Sequence, residues 1–344
     1  MTARLLVVVA PDSHAHDTGR GHPERIGRVE AAVAGVSDAQ LDEAVVWDPG
    51  RDATTDELRL VHDERYVAGL EEFARGGGGM LDADTVVAAG SFAAATRAAG
   101  CGLHAVEALT AEEADAAFVV VRPPGHHAVA ARGQGFCLFN NVAITAAALA
   151  ARGERVLIVD WDVHHGNGTQ DVFWDDPRVL FVSTHQFPAY PGTGRSDETG
   201  GAHAPGLTVN VPVPPGATGD VALAALDDIV APAAETFAPT WVLISAGFDA
   251  HRADPLADLA WSAGDYAQLA QRVTAFAPTA GRTIAFLEGG YDLAALRASA
   301  GATASVIAGA NAVVTDSEGP TSGGPGRDAV ARTRRALEER ALSD

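Results

Sequence analysis

Seven apolar runs rich in β-branched residues punctuate the chain: LLVVVA (5–10), AFVVVR (117–122), RVLIVDWD (155–162), VLFVSTH (179–185), LTVNVPV (207–213), WVLISAGFD (241–249) and TIAFLEGG (283–290). Alanine-rich stretches with helical spacing lie between them, at 91–109, 141–152, 220–237 and 263–276. Near-continuous apolar strands alternating with helices predict an α/β fold, a parallel sheet covered by helices on both faces. Ligands of such sheets bind beyond the carboxyl ends of the strands. The four glycines at 76–79 read as a flexible loop, and no internal repeat is visible. Residues 1–314 read as one domain, TDSEGPTSGGPGRD (315–328) as a flexible linker, and 329–344 as a charged C-terminal helix appended to the fold.

Composition narrows the partners. The 344 residues carry a formal net charge of −21, and all 24 positions counted as Lys or Arg are arginine. Such a balance argues against a nucleic-acid surface, which rests on clustered positive charge. A cationic partner is compatible, although arginine-for-lysine usage reads more simply as compositional bias or salt adaptation. The two cysteines, Cys101 and Cys137, are not in CxxC spacing and give no disulfide framework, which suits a reducing cytoplasm. ARLLVVVA offers only about seven apolar residues before Pro11 and Asp12, too few for a signal peptide, and nothing later approaches the ~18 of a membrane span. The expectation is a soluble cytoplasmic protein with no membrane or nucleic-acid partner.

Chemistry gathers where the runs stop. VVVRPPGHHA (119–128) leads from an apolar strand into adjacent His126 and His127; further on come Asp160, Asp162, His164 and His165, then Ser183 and His185, Asn210, Asp249 and His251, and Glu288 and Tyr291. In DWDVHHGNG (160–168) residues two apart share a face of an extended segment. Asp160, Asp162 and His164 can therefore converge on one point. A carboxylate and an imidazole two apart, joined by Asp249 from a neighbouring strand end, make an N/O site with three protein ligands and an open position, the pattern of catalytic zinc. Taken singly these residues have ordinary readings: a helix-capping aspartate, packed histidines, a turn aspartate. A metal-bound water needs a base, and a neutral imidazole suits that task near pH 7. The other imidazole can stay charged if a carboxylate such as Asp160 lies behind it. Tyr291, after two glycines, offers a hydroxyl to a carbonyl oxygen on which charge develops, or else is a buried tyrosine with a satisfied hydroxyl. Together these groups describe hydrolysis of an amide or ester.

RPPGHHA (122–128), GFCLFNNVAI (135–144), VDWDVHHGNGTQDVFWDDP (159–177), SAGFDAHRADPL (245–256) and LEGGYD (287–292), preceded by GHPER (21–25), resemble the histone deacetylase family. The resemblance is strongest to bacterial class II-like members, the histone deacetylase-like amidohydrolases. It implies the three-layer arginase/deacetylase fold, a mainly parallel eight-stranded sheet between helices, and zinc-dependent deacetylation of an N-acetylated amine. By the same resemblance Asp162, His164 and Asp249 are the zinc ligands, and His127 is the general base. His126, backed by Asp160, is its electrostatic partner, and Tyr291 polarises the carbonyl. Asn167 stands behind His127 where another class has aspartate, and a neutral partner leaves His127 less basic.

Monovalent cation sites, with potassium the expected occupant, are implied at Asp160, Asp162, His164 and Ser183, and at Phe173, Asp176 and Val179. Phe136 and Tyr190 are implied as walls of a narrow tunnel, with Gly135 and Gly289 alongside, Leu256 near its mouth and Asp84 on the preceding loop. Burying a four-methylene stem there is worth roughly 3 kcal/mol at ~0.8 per CH₂. Arg25 either lines an exit channel for acetate or makes a salt bridge at a helix start, and Cys137 packs beside the site.

Relatives that prefer acetylpolyamines carry an acidic gatekeeper, whereas the residue seven beyond Asp249 is Leu256. This favours acetyl-lysine in a peptide or protein over a small acetylated amine such as an acetylpolyamine, although Asp82 and Asp84 could draw a polycation. Two other classes compete. A binuclear manganese hydrolase of arginase type is suggested superficially by DAHRADP (249–255), but His165 and Asn167 do not supply its extra carboxylates. A non-catalytic acyl-amine binding protein would have lost a ligand or the base, and here none is missing. A homo-oligomer is compatible with all three.

Overall fold

The computed structural model describes residues 3–311 and 319–342. Its strands, in chain order, are β1 (Leu5–Val9), β2 (Val45–Asp48), β3 (Gly79–Met80), β4 (Val86–Val87), β5 (Ala116–Val120), β6 (Val156–Asp160), β7 (Val179–Gln186), β8 (Thr208–Val213), β9 (Trp241–Ala246) and β10 (Thr283–Leu287). Eight of them form one sheet in the order β2-β1-β5-β10-β9-β6-β7-β8. Every pairing in it is parallel. The expected α/β class and eight-stranded sheet are both present. The sheet strand missing from the seven runs is β2, an edge strand whose short apolar run AVVW (44–47) has no buried residue.

Alternate residues of each central strand feed opposite cores, as a two-residue period requires. Leu5, Val7, Phe118, Leu157, Val242 and Ala285 face one layer; Leu6, Val8, Val119, Ile158, Leu243 and Ile284 face the other. The first layer is closed by helices that include Gly27–Asp38, Ala263–Thr274 and Leu293–Ile307, the second by Ser91–Thr110 and Asn141–Ala151. The helix expected across 220–237 contains a π-type turn at Leu226–Val230, just before Pro232, whose ring removes an amide from the helical ladder.

Two expectations are corrected. Gly76–Gly79 is not a free loop: it runs into the β3–β4 hairpin, where a Cβ on Gly78 would lie 2.0 Å from the Val87 carbonyl oxygen. Nor is the terminal helix an appendage. It spans Arg327–Ala341, starting before residue 329, with Ala329 and Val330 buried, and the Thr333 hydroxyl donates to the Asn210 carbonyl of β8 at 2.6 Å. Thr321, within the expected linker, donates to Asp265 through its amide (2.9 Å) and its hydroxyl (2.8 Å). The segment thus covers the β8 edge; residues 315–318 of that linker lie outside the described residues. No helix among the described residues is long and apolar enough to cross a membrane.

Helices Gly27–Asp38 and Leu293–Ile307 cross at glycines: a Cβ on Gly35 would sit 2.1 Å from the Arg297 carbonyl oxygen, and one on Gly301 2.5 Å from that of Gly35. Gly35→Ala must push the helices apart and is expected to cost about 1–3 kcal/mol, read as a lower urea midpoint.

Candidate active site

β5, β10, β9 and β6 are neighbours in the sheet, so the polar residues beyond their carboxyl ends converge. Ligand atoms of Asp162, His164 and Asp249 lie within 4.8 Å of one another. The His164 Nδ1 is 3.2 Å from both Asp162 Oδ1 and Asp249 Oδ2. Backbone amides hold the carboxylates: His164 N–H donates to Asp162 Oδ1 (2.9 Å), Gly289 N–H to Asp162 Oδ2 (2.7 Å) and Val163 N–H to Asp249 Oδ1 (2.9 Å).

The donor set suits a divalent ion. Asp249 Oδ2 is buried and makes no hydrogen bond of good geometry, its one polar neighbour being the His164 ring at 3.2 Å. A buried carboxylate oxygen so weakly met is costly unless a cation joins it. Burial disfavours protonated His164, yet hydrogen bonds and charge from Asp162 and Asp249 outweigh it and raise its pKa to about 10. The carboxylate pair therefore recruits positive charge strongly, which a metal ion would supply in place of that proton.

The two histidines differ in what stands behind them. His126 Nδ1 lies 2.9 Å from Asp160 Oδ2, and His127 Nδ1 lies 2.8 Å from Asn167 Oδ1. For His126, burial works against the charged ring, but the charges of Asp160 and Asp162 hold its pKa well above the ordinary imidazole value. Burial raises the Asp160 carboxyl to about 6, still below its partner, so the proton resides on His126. For His127, burial and then the charges of His126 and His164 push the pKa well below the ordinary value. Glu288 braces the turn from below, accepting from the amides of Gly125 (2.7 Å) and His126 (3.2 Å).

A cavity of about 200 Å³ opens above these groups, lined by Asp84, His127, Gly135, Phe136, His164, Tyr190, Leu256 and Tyr291. Larger clefts exist, including one of about 560 Å³ near Gln268 and Asn311, but they lack this chemistry. Tyr190 packs edge-on to His127 at 5.0 Å, and Phe136 edge-on to Tyr291 at 5.8 Å. A Cβ on Gly135 would strike the His127 ring at 2.5 Å, so only glycine fits there. No protein group among the described residues hydrogen-bonds the Tyr291 hydroxyl, which leaves it available to the cavity. Gly289 does not line this cavity; it lies beneath, its amide spent on Asp162. His22, which the sequence reading passed over, bonds the Asp84 carbonyl at 3.0 Å and packs on Phe136 at 4.9 Å.

The expectation for Arg25 is corrected. Arg25 is exposed, whereas Arg28 is fully buried: its Nε donates to the Gly290 carbonyl at 2.7 Å, and its guanidinium lies 4.9 Å from the Tyr291 ring centre. Arg28 also contacts Glu24, which pairs with Arg122 at 2.6 Å. An arginine on the apolar face of a helix, beside Val29 and in line with Ala32 and Val36, was the available signal. Around the expected cation positions, Asp160 and Ser183 are partners in the β6–β7 register. The carbonyls of Phe173 and Asp176 accept the amides of Asp176 and Val179. Potassium at either place is an expectation of the resemblance alone. Cys137 is buried, its thiol 3.3 Å from the Gly135 carbonyl oxygen, as a packing role requires.

A three-layer parallel sheet presenting this cluster at the foot of a tunnel defines the arginase/deacetylase class of folds. Within it, residues 22–307 match the histone deacetylase domain, and the chain belongs to the histone deacetylase family. It is 41% identical over 284 residues to a probable deacetylase of Archaeoglobus fulgidus, covering 81% of this chain and 79% of that one. It is 37% identical over 245 residues to the histone deacetylase-like amidohydrolase of Pseudomonas aeruginosa, covering 70% and 64%. The crystal structure of the HDA15 HD domain superposes with a TM-score of 0.90 at 33% identity, covering 100% of this chain and 96% of that one. These likenesses support a hydrolase of the deacetylase and amidohydrolase kind.

The geometry predicts one divalent ion per chain. Metal analysis after dialysis against zinc should give a ratio near one, and Asp249→Ala should abolish it. Added zinc should raise the melting temperature of the metal-free protein in a concentration-dependent way. Two manganese ions per chain would require the arginase-type reading instead.

Proposed function

We propose that the protein is a zinc-dependent deacetylase that hydrolyses the acetyl amide of lysine side chains in peptides or proteins. The observation that carries this reading is the meeting, in one tunnel, of Tyr291, neutral His127 and the Asp162–His164–Asp249 group. Asp162, His164 and Asp249 would hold the zinc, which when bound supplies Lewis acidity to the acyl carbonyl and to a water.

His127, kept neutral by burial and by its amide partner Asn167, takes a proton from the attacking water as the new C–O bond forms. Tyr291 donates its hydroxyl to the carbonyl oxygen as charge grows there. When the C–N bond breaks, His127 returns the proton to the departing amine, leaving acetate and lysine. His126, paired with Asp160, stays charged throughout and keeps His127 from binding a proton too early.

Phe136 and Tyr190 sheathe an apolar stem without offering charge, and Leu256, 42% exposed at the mouth, offers no carboxylate to a secondary ammonium. Both features favour acetyl-lysine. A second reading, an acetylpolyamine amidohydrolase, draws support from Asp84 in the cavity wall and Asp82 beside it. An acetyl-lysine peptide should exceed N-acetylputrescine and N⁸-acetylspermidine in kcat/KM by at least about tenfold. The reverse order would select the polyamine reading.

His127→Ala and Tyr291→Phe should each lower kcat by roughly 10²–10⁴ while zinc stays bound; full activity in both would defeat the mechanism. Asn167→Asp puts a carboxylate behind His127, stabilising its protonated form. Because the base must be neutral, the acid limb of the kcat/KM profile should move to higher pH.

A further inference from the structure

Asp254 is a buried carboxylate that the mechanism above leaves unused. It is 8% exposed, in the loop that carries Asp249 and Leu256. Its Oδ1 accepts the Leu256 amide at 3.0 Å, and its Oδ2 accepts the amides of Tyr291 at 2.7 Å and Asp292 at 3.3 Å. One side chain thus ties the residue at the tunnel mouth to the residue whose hydroxyl faces the cavity, across 37 positions of sequence. Burial, together with the charge of Asp249, lifts its pKa to about 7, and the three amide donors favour the carboxylate that accepts them.

Ordinary structural duties do not account for this arrangement. The helix Leu293–Ile307 is capped by Asp292, whose Oδ1 takes the amides of Ala294 and Ala295. Other holds on the tyrosine loop act before Tyr291: Gly289 N–H on Asp162, Phe248 N–H on the Gly289 carbonyl, and Arg28 on the Gly290 carbonyl. Gly290, at φ +119°, is a joint that only glycine adopts readily. Beyond that joint, the backbone of Tyr291 is held by Asp254. With the Tyr291 hydroxyl unbonded to protein, the aim of the ring is set from its backbone and from packing on Phe136 and Arg28.

We propose that Asp254 is a positioning residue that fixes the direction of Tyr291 and the seat of Leu256 as one unit, so that the foot and the mouth of the tunnel cannot shift independently. The inference rests on the deacetylase reading for its effect on turnover, and on geometry alone for its effect on the backbone.

Asp254→Asn is the decisive variant, because it keeps the shape but turns one acceptor oxygen into a donor facing a backbone N–H. With an acetyl-lysine peptide its kcat should fall about tenfold to a hundredfold, the worth of a hydrogen bond to a charged group, with a smaller change in KM and zinc content unchanged. In a Tyr291→Phe background the same substitution should cost no more than about twofold, because its effect passes through the tyrosine. Hydrogen exchange on the metal-free protein supplies a readout independent of activity. Amides of Leu256, Ala257 and residues 290–293 should exchange faster together in Asp254→Asn, with the rest of the chain unchanged, and Leu256→Ala should leave them protected. Wild-type kcat with unchanged exchange, multiplying losses in the double variant, or loosening of the whole chain would each overturn the proposal. If the wild type hydrolyses no acetyl amide but the paired exchange effect is present, the deacetylase reading fails and the positioning inference stands.

Discussion

Asp162 and Asp249 bring two carboxylates, both without solvent exposure, to the sides of one imidazole. Charges so buried are tolerated only when hydrogen-bonded and offset by positive charge. The backbone supplies the first condition through the amides of Val163, His164 and Gly289. Supplying it forces strand tips into close approach. A Cβ on Gly247 would lie 2.1 Å from Asp162 Oδ2, and one on Gly289 2.0 Å from Asp249 Oδ2. Glycines at these two positions are therefore as much a part of the cluster as its ligands. The second condition is left to a proton on His164 or to a metal, and the three ligand atoms within 4.8 Å of one another could hold the latter.

A single unit of charge, present behind His126 and absent behind His127, then separates two residues that the sequence presents as twins. The Asp160 carboxylate fixes a proton on His126, while the Asn167 amide orients His127 without stabilising its protonated form. The charged ring lies 4.0 Å from the neutral one, centre to centre, and so disfavours a second proton through electrostatics. Acid and base character are divided by burial and by neighbours, since the side chains themselves are identical.

Seven of the eight sheet strands were legible because parallel strands are apolar on both faces, and the polar residues at their ends mark where the cluster lies. β2 escaped because its apolar run, AVVW (44–47), is only four residues long and lies on an edge strand with no buried residue. Asp162, His164 and Asp249 were legible because a two-residue spacing and a strand end dictate direction. Arg28 was not, because GHPER draws attention to Arg25, and only the packing of the helix Gly27–Asp38 on Leu293–Ile307 decides which arginine turns inward. The terminal segment misled for a related reason. Gly, Ser and Pro composition describes a chain's intrinsic freedom and is silent on anchors such as Thr321 on Asp265 or Thr333 on β8.

Substrate choice hinges on separating attraction from selection. A net charge of −21 with no lysine, and Asp82 and Asp84 beside the cavity, draw any cation toward the mouth, a basic peptide as well as a polyamine. Long-range attraction of that kind speeds encounter without ranking the two. Ranking requires a contact that one substrate makes and the other cannot, at a point where water is displaced. In the tunnel that point lies between Leu256 and the Phe136–Tyr190 walls, where a secondary ammonium would lose its hydration and meet Asp84 as the one carboxylate of the lining. On the acetyl-lysine reading proposed above, the contact with Leu256 would act against the polyamine, and Asp84 is the residue that would offset it.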